Sequence, residues 1–416
     1  MKIYNDTIIP EGLQPADYGE VLQSGYTDGY AEGYEAYECH EYEKEYLTID
    51  ALEDGNIITW SNAVQYSING GEWQTCLYGG TISVLEGDKV RFKGNYLGAA
   101  DKGLFENTTV KYNVYGNIMS LAFGDDFDDK LTIENYNQFA RCFYGSYIIS
   151  AKNLILPATY FVEDSGYVYW AMFGGCIRLT TPPELPAESL NGYCYFGMFQ
   201  GCTSLTSAPE LPATKLTQGC YANMFDGCSN LTQAPAVLPA TELATRCYQN
   251  MFFNCTSLTK APELPATILE GTCYYYMFYN CTSLTTAPVL PASALAKSCY
   301  DGMFQGCTGL TQAPALPATS LTQNCYSNMF KGCSNITSAP ELSAPVLVDF
   351  CYSGMFDGCT RLNYIKCLAT NISGTDCLEN WVRGVSNSGT FVKAASMEDW
   401  NYGDDGIPGN WEVLDA

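Results

Sequence analysis

A nine-residue motif recurs along this chain at a nearly constant interval, and this recurrence constrains the fold more than any other feature. The clear copies begin at Cys194, Cys220, Cys247, Cys273, Cys299, Cys325 and Cys351. They are 26 residues apart, except for one interval of 27 that contains an inserted residue near Val237. A weaker copy ends at Cys176, and a still weaker one lies at residues 139–146. Such a period predicts repeats that bury their apolar faces only by stacking on one another.

The repeat unit reads C-Y-x-x-M-F-x-G-C-T-S-L-T-x-A-P-x-L-P-A-T, with one residue type dominating each named position. We expect CYxxMF to form about one helical turn that points Cys, Met and Phe inward. SLTxAP suits a short strand, such as residues 284–286, because the prolines that follow disfavour helix. Stacked coils would align these strands in a parallel ladder. The sequence therefore predicts a solenoid of α/β-type coils with short parallel strands over residues 136–366.

Residues 46–135 carry the pattern of a β domain. YSINGGEW (66–73) is typical of a strand, a glycine turn and a second strand. ISVLEGDKVRFKG (82–94) repeats that pattern, with Val90 and Phe92 alternating with basic residues. A further strand is expected near Val110. We interpret this region as a small β-sandwich.

Residues 367–416 depart from the repeat and are expected to cap its last open coil. In DCLENWVRGV, the apolar residues Leu378, Trp381, Val382 and Val385 would share one face of a helix. GTFVK is typical of a strand, and GIPGNW of a turn.

Residues 1–45 form an acidic arm rich in tyrosine and glycine. Tyrosines recur every four residues beside small residues, which would give a helical arm one aromatic stripe open to close approach by a partner. The candidate contact residues are Tyr18, Leu22, Gly25, Tyr26, Gly29, Tyr30, Gly33 and Tyr34. Glycine weakens an isolated helix, so we expect a docking or oligomerisation arm, with a trimer favoured. A flexible acidic leader is the alternative.

The net charge of −25 argues against partners that are themselves anionic. Nucleic acid and anionic membrane surfaces would both repel the chain. No stretch approaches the length of a membrane-spanning helix. The N-terminus has no basic start followed by an apolar core, so we expect synthesis in a cytoplasm without ordinary export.

Fifteen of the 20 cysteines occupy two positions of the repeat. Zinc is disfavoured because these cysteines are eight residues apart and the chain has a single histidine, His40. A ladder of like residues offers no natural pairing for disulfides, although neighbouring coils could bring some within reach. We expect buried free thiols, with some disulfides as the alternative.

The sequence carries no recognisable catalytic constellation, and we predict a protein that is not an enzyme and uses no cofactor. A catalytic triad would have to use His40 in the acidic arm. The glutamates that recur at one coil position are Glu184, Glu210, Glu263 and Glu341. Because they share one environment, they indicate a solvated row and not an acid–base pair. FGDDFDD (123–129) lacks the spacing of a known calcium loop, so an acidic connector is favoured over a calcium site.

Positions that vary between coils are where a repeat scaffold binds its ligands. In the central coils, the pair after CY and the residue after MF supply four aromatic residues, which we expect to face solvent. They are Phe253, Tyr275, Tyr276 and Tyr279. Exposed aromatic residues are typical of recognition surfaces for a glycan or a protein. The alternative is that this flank simply tolerates any residue.

The repeat MFxGCTSLTxAP resembles the BspA-like leucine-rich repeats of bacterial surface proteins over about residues 139–366. This resemblance implies a right-handed leucine-rich solenoid used for adhesion, and it transfers no catalytic residue. The whole layout also resembles fibre and structural virion proteins of phages that infect gut Bacteroides-type bacteria. Those proteins combine a GYxxGY leader, a β domain, these repeats and a GTFVK…GIPxxW ending.

Taken together, these features predict a surface fibre or appendage protein of a virion, made in the host cytoplasm. Residues 1–45 would contact other virion proteins or copies of the same chain, and the solenoid would recognise a host-surface glycan or protein. A bacterial cell-surface adhesin is the alternative. A glycan-degrading enzyme is a more distant one.

Overall fold

The computed structural model describes residues 2–4, 7–9, 42–98, 101–133, 135–157, 160–161 and 166–416. The chain divides into two compact units, Met1–Glu41 and Tyr42–Ala416. The described part of the first unit is a hairpin of antiparallel strands, β1 (Lys2–Tyr4) and β2 (Thr7–Ile9). The predicted tyrosine–glycine helix, with its eight candidate contact residues from Tyr18 to Tyr34, lies outside the described residues.

The second unit opens with a β-rich region, as predicted. Its strands are β3 (Leu47–Ala51), β4 (Gly55–Thr59), β5 (Val64–Ile68), β6 (Gln74–Thr75), β7 (Gly80–Val84), β8 (Lys89–Gly94), β9 (Tyr112–Asn117), β10 (Thr132–Ile133), β11 (Ile148–Ser150), β12 (Leu154–Ile155) and β13 (Tyr160–Phe161). One sheet has the order β11-β9-β3-β8-β5-β6, and β12 also joins it on β9. β4 pairs with β7, and β10 pairs with β13. One short helix, Ser120–Phe123, follows β9. Face-to-face packing of these sheets as a sandwich stays a prediction.

Two strand predictions in this region had different outcomes. The first hairpin is confirmed: β5 pairs with β6, and Asn69 and Gly70 adopt the positive φ angles that a tight hairpin turn requires. The second pairing is wrong, because β7 pairs with β4 while β8 lies between β3 and β5. The predicted alternation in β8 is correct, since Val90 and Phe92 are fully buried.

In the repeats, the CYxxMFxGC segment is a run of tight turns and not the helical turn that the sequence suggested. Alternate amides bond within the segment and to the next coil: Met277 N donates to Tyr274 O (3.1 Å), whereas Phe278 N donates to Met303 O (2.9 Å). A helix would use all of these amides internally. This alternation ties each coil to the next by backbone hydrogen bonds.

Left-handed residues recur every four positions within each segment, and they are the reason that no helix forms. In the coil that begins at Cys273 they are Thr272, Tyr276 and Asn280, with φ of 56°, 51° and 57°. Elsewhere the second and third of these positions mostly carry glycine or asparagine, the residues that best tolerate this conformation. The backbone conformation therefore repeats with the sequence.

Stacked side chains fill the interior of the coils. Phe278 stacks on Phe252 (centroids 5.5 Å apart) and on Phe304 (5.7 Å). Tyr274 stacks in the same way on Tyr248 (5.8 Å), although the repeat pattern predicts only Cys, Met and Phe inside. Like residues of successive coils thus form continuous core ladders, which stabilise the stack through burial and ring contact.

The SLTxAP segments form only isolated parallel β-bridges and not the predicted strands. Examples are the bridges of Gln233 with Lys260 and of Lys260 with Thr286. Proline supplies no amide hydrogen for a ladder bond, so the prolines of each unit prevent the bridges from extending. A continuous ladder at this face was therefore a wrong expectation.

The stack continues beyond the point where the sequence placed its end. Residues 377–384 repeat the turn pattern: Phe356 N donates to Trp381 O (2.8 Å), and Asn380 and Gly384 are left-handed. The predicted helix here is therefore wrong. Trp381 ends the tyrosine ladder by stacking on Tyr352. The final parallel sheet consists of β14 (Tyr364–Cys367), β15 (Thr390–Lys393) and β16 (Glu412–Asp415).

At the other end, the β region runs into the stack without a break in the core. Phe105 N donates to Cys142 O (2.7 Å), and the Phe105 ring stacks on Phe143 (5.4 Å) at the start of the phenylalanine ladder. The buried residues of both regions form one hydrophobic cluster. Within the described ranges, no helix has the length and apolar character needed to cross a membrane.

Candidate binding surface

The four aromatic residues singled out from the sequence lie together on the central coils. We call Phe253, Tyr275, Tyr276 and Tyr279 the central aromatic cluster. Phe253 and Tyr279 stack nearly parallel, with centroids 4.3 Å apart and planes 6° apart. Tyr276 meets Tyr275 (4.3 Å, 72°) and Tyr279 (5.4 Å, 88°) edge-on. The rings therefore form one connected surface that displays both ring faces and ring edges.

These rings are half-buried, whereas the variable repeat positions predicted that they face solvent. The difference arises because they cover one another, which no single coil reveals. The residues between them in the chain, Tyr274, Met277 and Phe278, are buried in the core ladders. The cluster is therefore an outer layer held on a rigid interior.

Tyr276 occupies a backbone position that is costly for its side chain. Its φ of 51° lies in the left-handed region, which costs an ordinary residue about 1–2 kcal/mol. The other six clear copies have Gly or Asn at this position: Gly197, Asn223, Asn250, Gly302, Asn328 and Gly354. An aromatic residue at such a site is a local departure from what stability favours, and such departures concentrate at functional sites.

Gly302, which holds the equivalent position one coil further on, makes room for the Tyr276 ring. A Cβ atom at residue 302 would overlap the edge of that ring. The Tyr276 amide also donates to Asp301 O at 3.0 Å. The ring thus lies over the glycine of its neighbour, and this placement orients it within the cluster.

Asp301 is a buried acid beside the cluster. It occupies the same position of the repeat as Tyr275, one coil further along, and we call such equivalent positions of successive coils a row. Only 8% of the residue is exposed, and its Oδ1 atom has no hydrogen-bond partner within the described part of the chain. Burial raises the pKa of its carboxyl to about 6, and a hydrogen bond from Asn328 offsets part of the rise. Burial also raises the pKa of Tyr275, and the charge of Asp301 adds to that rise. The carboxylate is therefore poorly compensated where it lies.

The cysteines in the described residues are all free and buried. Burial raises the pKa of Cys273 to about 12, so its thiol stays protonated near neutral pH. The Cys281 thiol donates to the Phe252 carbonyl of the preceding coil at 3.1 Å, and equivalent bonds recur along the stack. Of the alternatives that the sequence left open, these cysteines are buried thiols that pack the core.

The other acidic residues considered as candidates form hydrogen bonds or ion pairs with side chains of the same fold. Asp125 in FGDDFDD accepts hydrogen bonds from Lys93 Nζ and Tyr46 Oη, both at 2.7 Å. Glu341, in the recurring glutamate row, is exposed and pairs with Lys366 at 2.9 Å. Among the residues that the structure describes, no group of three or more potential ligands could hold a metal ion.

A second aromatic group, which was not predicted from the sequence, lies on the first coils. Tyr167 and Tyr193 stack at 4.9 Å with planes 4° apart, and Tyr136 meets Tyr167 edge-on at 5.5 Å. They line a groove with Gly166 and Gly192. The available signal was a tyrosine immediately before the motif in two successive copies. The importance of Asp301 was also missed, because its burial depends on the neighbouring coils.

Comparison with known families gives one match. The model described as a BspA type leucine rich repeat region matches residues 171–309 and 271–381, in 6 copies. Together these ranges span slightly more than half of the chain, and they contain the whole central aromatic cluster. No curated protein matches the chain, and neither does any solved structure.

Proposed function

We propose that this chain, which belongs to the BspA-type leucine-rich repeat family, is a non-enzymatic adhesion protein that binds its target through the central aromatic cluster. Repeats of this type point to a surface or adhesion role. The observation that carries the proposal is Tyr276, an aromatic residue at a left-handed position where the other clear copies have glycine or asparagine. A residue that costs backbone strain and adds ring surface to a repeat stack fits a binding role.

The finer proposal is that the protein is a surface fibre or appendage of a phage virion. It is supported by the layout of the sequence, in which an acidic tyrosine–glycine arm, a β-rich region, the repeats and the ending GTFVK…GIPGNW occur in that order. In this proposal residues 1–45 dock the chain on the particle or assemble it, with a trimer favoured. The repeats then meet a glycan or protein of the host surface. A bacterial cell-surface adhesin uses the same binding surface and differs only in where the chain is displayed.

Location can be tested by quantitative mass spectrometry of two fractions from an infected culture. Peptides of this chain should co-purify with phage particles at a constant ratio to a capsid protein. Recovery in the envelope fraction of uninfected cells, and its absence from particles, would favour the bacterial adhesin.

Binding can be tested with purified protein and intact host cells. We expect the wild-type chain to bind cells, and a variant carrying Tyr275→Ser, Tyr276→Asn and Tyr279→Gln to lose most of that binding. Each replacement is a residue that another coil already carries at the same position, so the fold should persist. Ser353→Ala, in the row of Tyr275 but three coils away, is the matched control. Equal binding by wild type and the triple variant would refute the role of the cluster.

A further inference from the structure

We propose that the central aromatic cluster and Asp301 together bind an organic ammonium group. This inference rests on the proposed function and names the ligand chemistry of the same site. It depends on the charge balance of Asp301, on the geometry of the rings, and on the hydrogen-bonding groups around them.

The charge balance around Asp301 favours a cationic ligand. In the described part of the chain, no basic side chain forms an ion pair with it, and the nearby Lys331 pairs with Asp357 instead (3.2 Å). A buried carboxylate without a cation is unfavourable, because it has lost water and gained no opposite charge. A cationic ligand would supply that charge.

The rings beside Asp301 favour the same ligand class. Aromatic faces are electron-rich and attract cations that lie over them. Tyr276 meets both Tyr275 and Tyr279 edge-on, so the cluster holds rings in more than one orientation. The Tyr276 amide bonds to the backbone of Asp301 at 3.0 Å, so the carboxylate belongs to the coil directly beneath this ring. An anionic ligand would be repelled by the carboxylate and by the ring faces.

The acceptor oxygens at the site that lack a partner among the described residues favour an ammonium ligand, which carries N–H donors and a positive charge, over a neutral sugar. The Oδ1 atom of Asp301 is a buried acceptor that has no donor among the described residues. Two further atoms near the cluster, Asn250 Oδ1 and Gln305 Oε1, are likewise buried without a partner there. They flank the cluster in the rows of Tyr276 and Tyr279, one coil before and one coil after. A sugar hydroxyl could donate to these oxygens, but only an ammonium group also neutralises the carboxylate.

The test is a titration of the protein at pH 7.5 with n-butylammonium and, separately, with n-butanol, which has a similar shape and no charge. Binding is monitored through the NMR chemical shifts of the cluster rings. We expect saturable binding of n-butylammonium that weakens with added salt, and much weaker binding of n-butanol. Asp301→Asn should lower the ammonium affinity by roughly tenfold or more, because it removes a charge-assisted bond. Asp357→Asn, a buried acid in the same stack that already has a partner, should leave the affinity unchanged.

Equal binding of n-butylammonium and n-butanol, or full ammonium affinity in Asp301→Asn, would overturn the inference. So would binding of a neutral methyl glucoside that Asp301→Asn does not weaken, because the site would then recognise glycans by stacking alone. Cell binding separates these failures from failure of the proposed function. If Asp301→Asn still binds cells while the triple tyrosine variant does not, the adhesion surface stands and only the ammonium assignment falls.

Discussion

Asp301→Asn should make the protein more stable at neutral pH, although it removes a buried acid from the folded chain. In the folded state the pKa of this carboxyl is about 6, against an ordinary value of 3.8 for the unfolded chain. The folded state therefore holds the proton more tightly. This tighter proton binding stabilises the folded state. The stabilisation is fully present below the pKa of the unfolded chain and is lost as the pH rises through 6. Asn328 donates a hydrogen bond to the carboxyl, and the charge of Asp301 helps to raise the pKa of Tyr275 and of Tyr276, so none of these three groups changes charge between pH 5 and pH 8.

The size of the effect follows from the two pKa values. At 1.36 kcal/mol for each pKa unit, ionising Asp301 costs the folded state roughly 3 kcal/mol at pH 8 and about 1.6 kcal/mol at pH 5. An isosteric, uncharged asparagine avoids this cost at every pH. The gain from Asp301→Asn should therefore grow by about 1.4 kcal/mol between pH 5 and pH 8.

The assay is urea unfolding of wild type and variant across that pH range, followed by circular dichroism. Asp357→Asn serves as a control of opposite sign. Burial opposes ionisation of Asp357, but hydrogen bonds from Arg383 and Lys331 prevail and lower its pKa. Its ion pairs stabilise the fold above the unfolded pKa, so this variant should lose stability by a nearly constant amount from pH 5 to pH 8. A gain from Asp301→Asn that is absent, or that does not increase with pH, would refute the claim that this carboxylate is uncompensated.

Three further predictions concern packing and backbone conformation. Phe278→Ala removes a fully buried ring from its ladder and should cost about 3–5 kcal/mol in urea unfolding, whereas Tyr279→Ala should cost less than about 1.5 kcal/mol; equal losses would mean that inside and outside were assigned wrongly. Tyr248→Phe should be neutral or stabilise by about 1 kcal/mol, because its buried hydroxyl has no hydrogen-bond partner among the described residues, and a clear loss of stability would reveal one. Tyr276→Gly should be more stable than Tyr276→Ala by about 1 kcal/mol, since both lose the ring and only glycine suits φ of 51°; the reverse order would contradict the left-handed assignment.

The sequence predicted the stacking of coils and most of the core, because a period repeated seven times separates fixed positions from variable ones. It failed on local conformation. Glycine and asparagine four residues apart, as at Gly197 and Gly201, are a signal for left-handed turns, yet Met and Phe at the intervening positions also suit one turn of helix. A turn sequence joins β7 to β8 and predicted that they pair, whereas β7 pairs with β4 and β8 lies between β3 and β5 in a different sheet. Ladder contacts between coils, such as that of Tyr274 with Tyr248, cannot be predicted from a local sequence pattern, because they join residues of different coils.

In the candidate site, too, some features can be predicted from the sequence of one coil, whereas others arise only when the coils stack. Sequence variability indicated the four aromatic residues, but Asp301 gained its meaning from burial against the adjacent coils. In a repeat protein each position can be compared with its equivalents in the same molecule, so the cost of a deviation can be measured internally. Two costly deviations, a left-handed tyrosine and a buried carboxylate with no ion pair among the described residues, occur in adjacent coils. Packing alone would favour glycine or asparagine at the first position and a neutral residue at the second. Substitutions that relieve these costs should therefore be the ones that weaken binding, which is the relation expected where a scaffold gives up stability to hold a ligand.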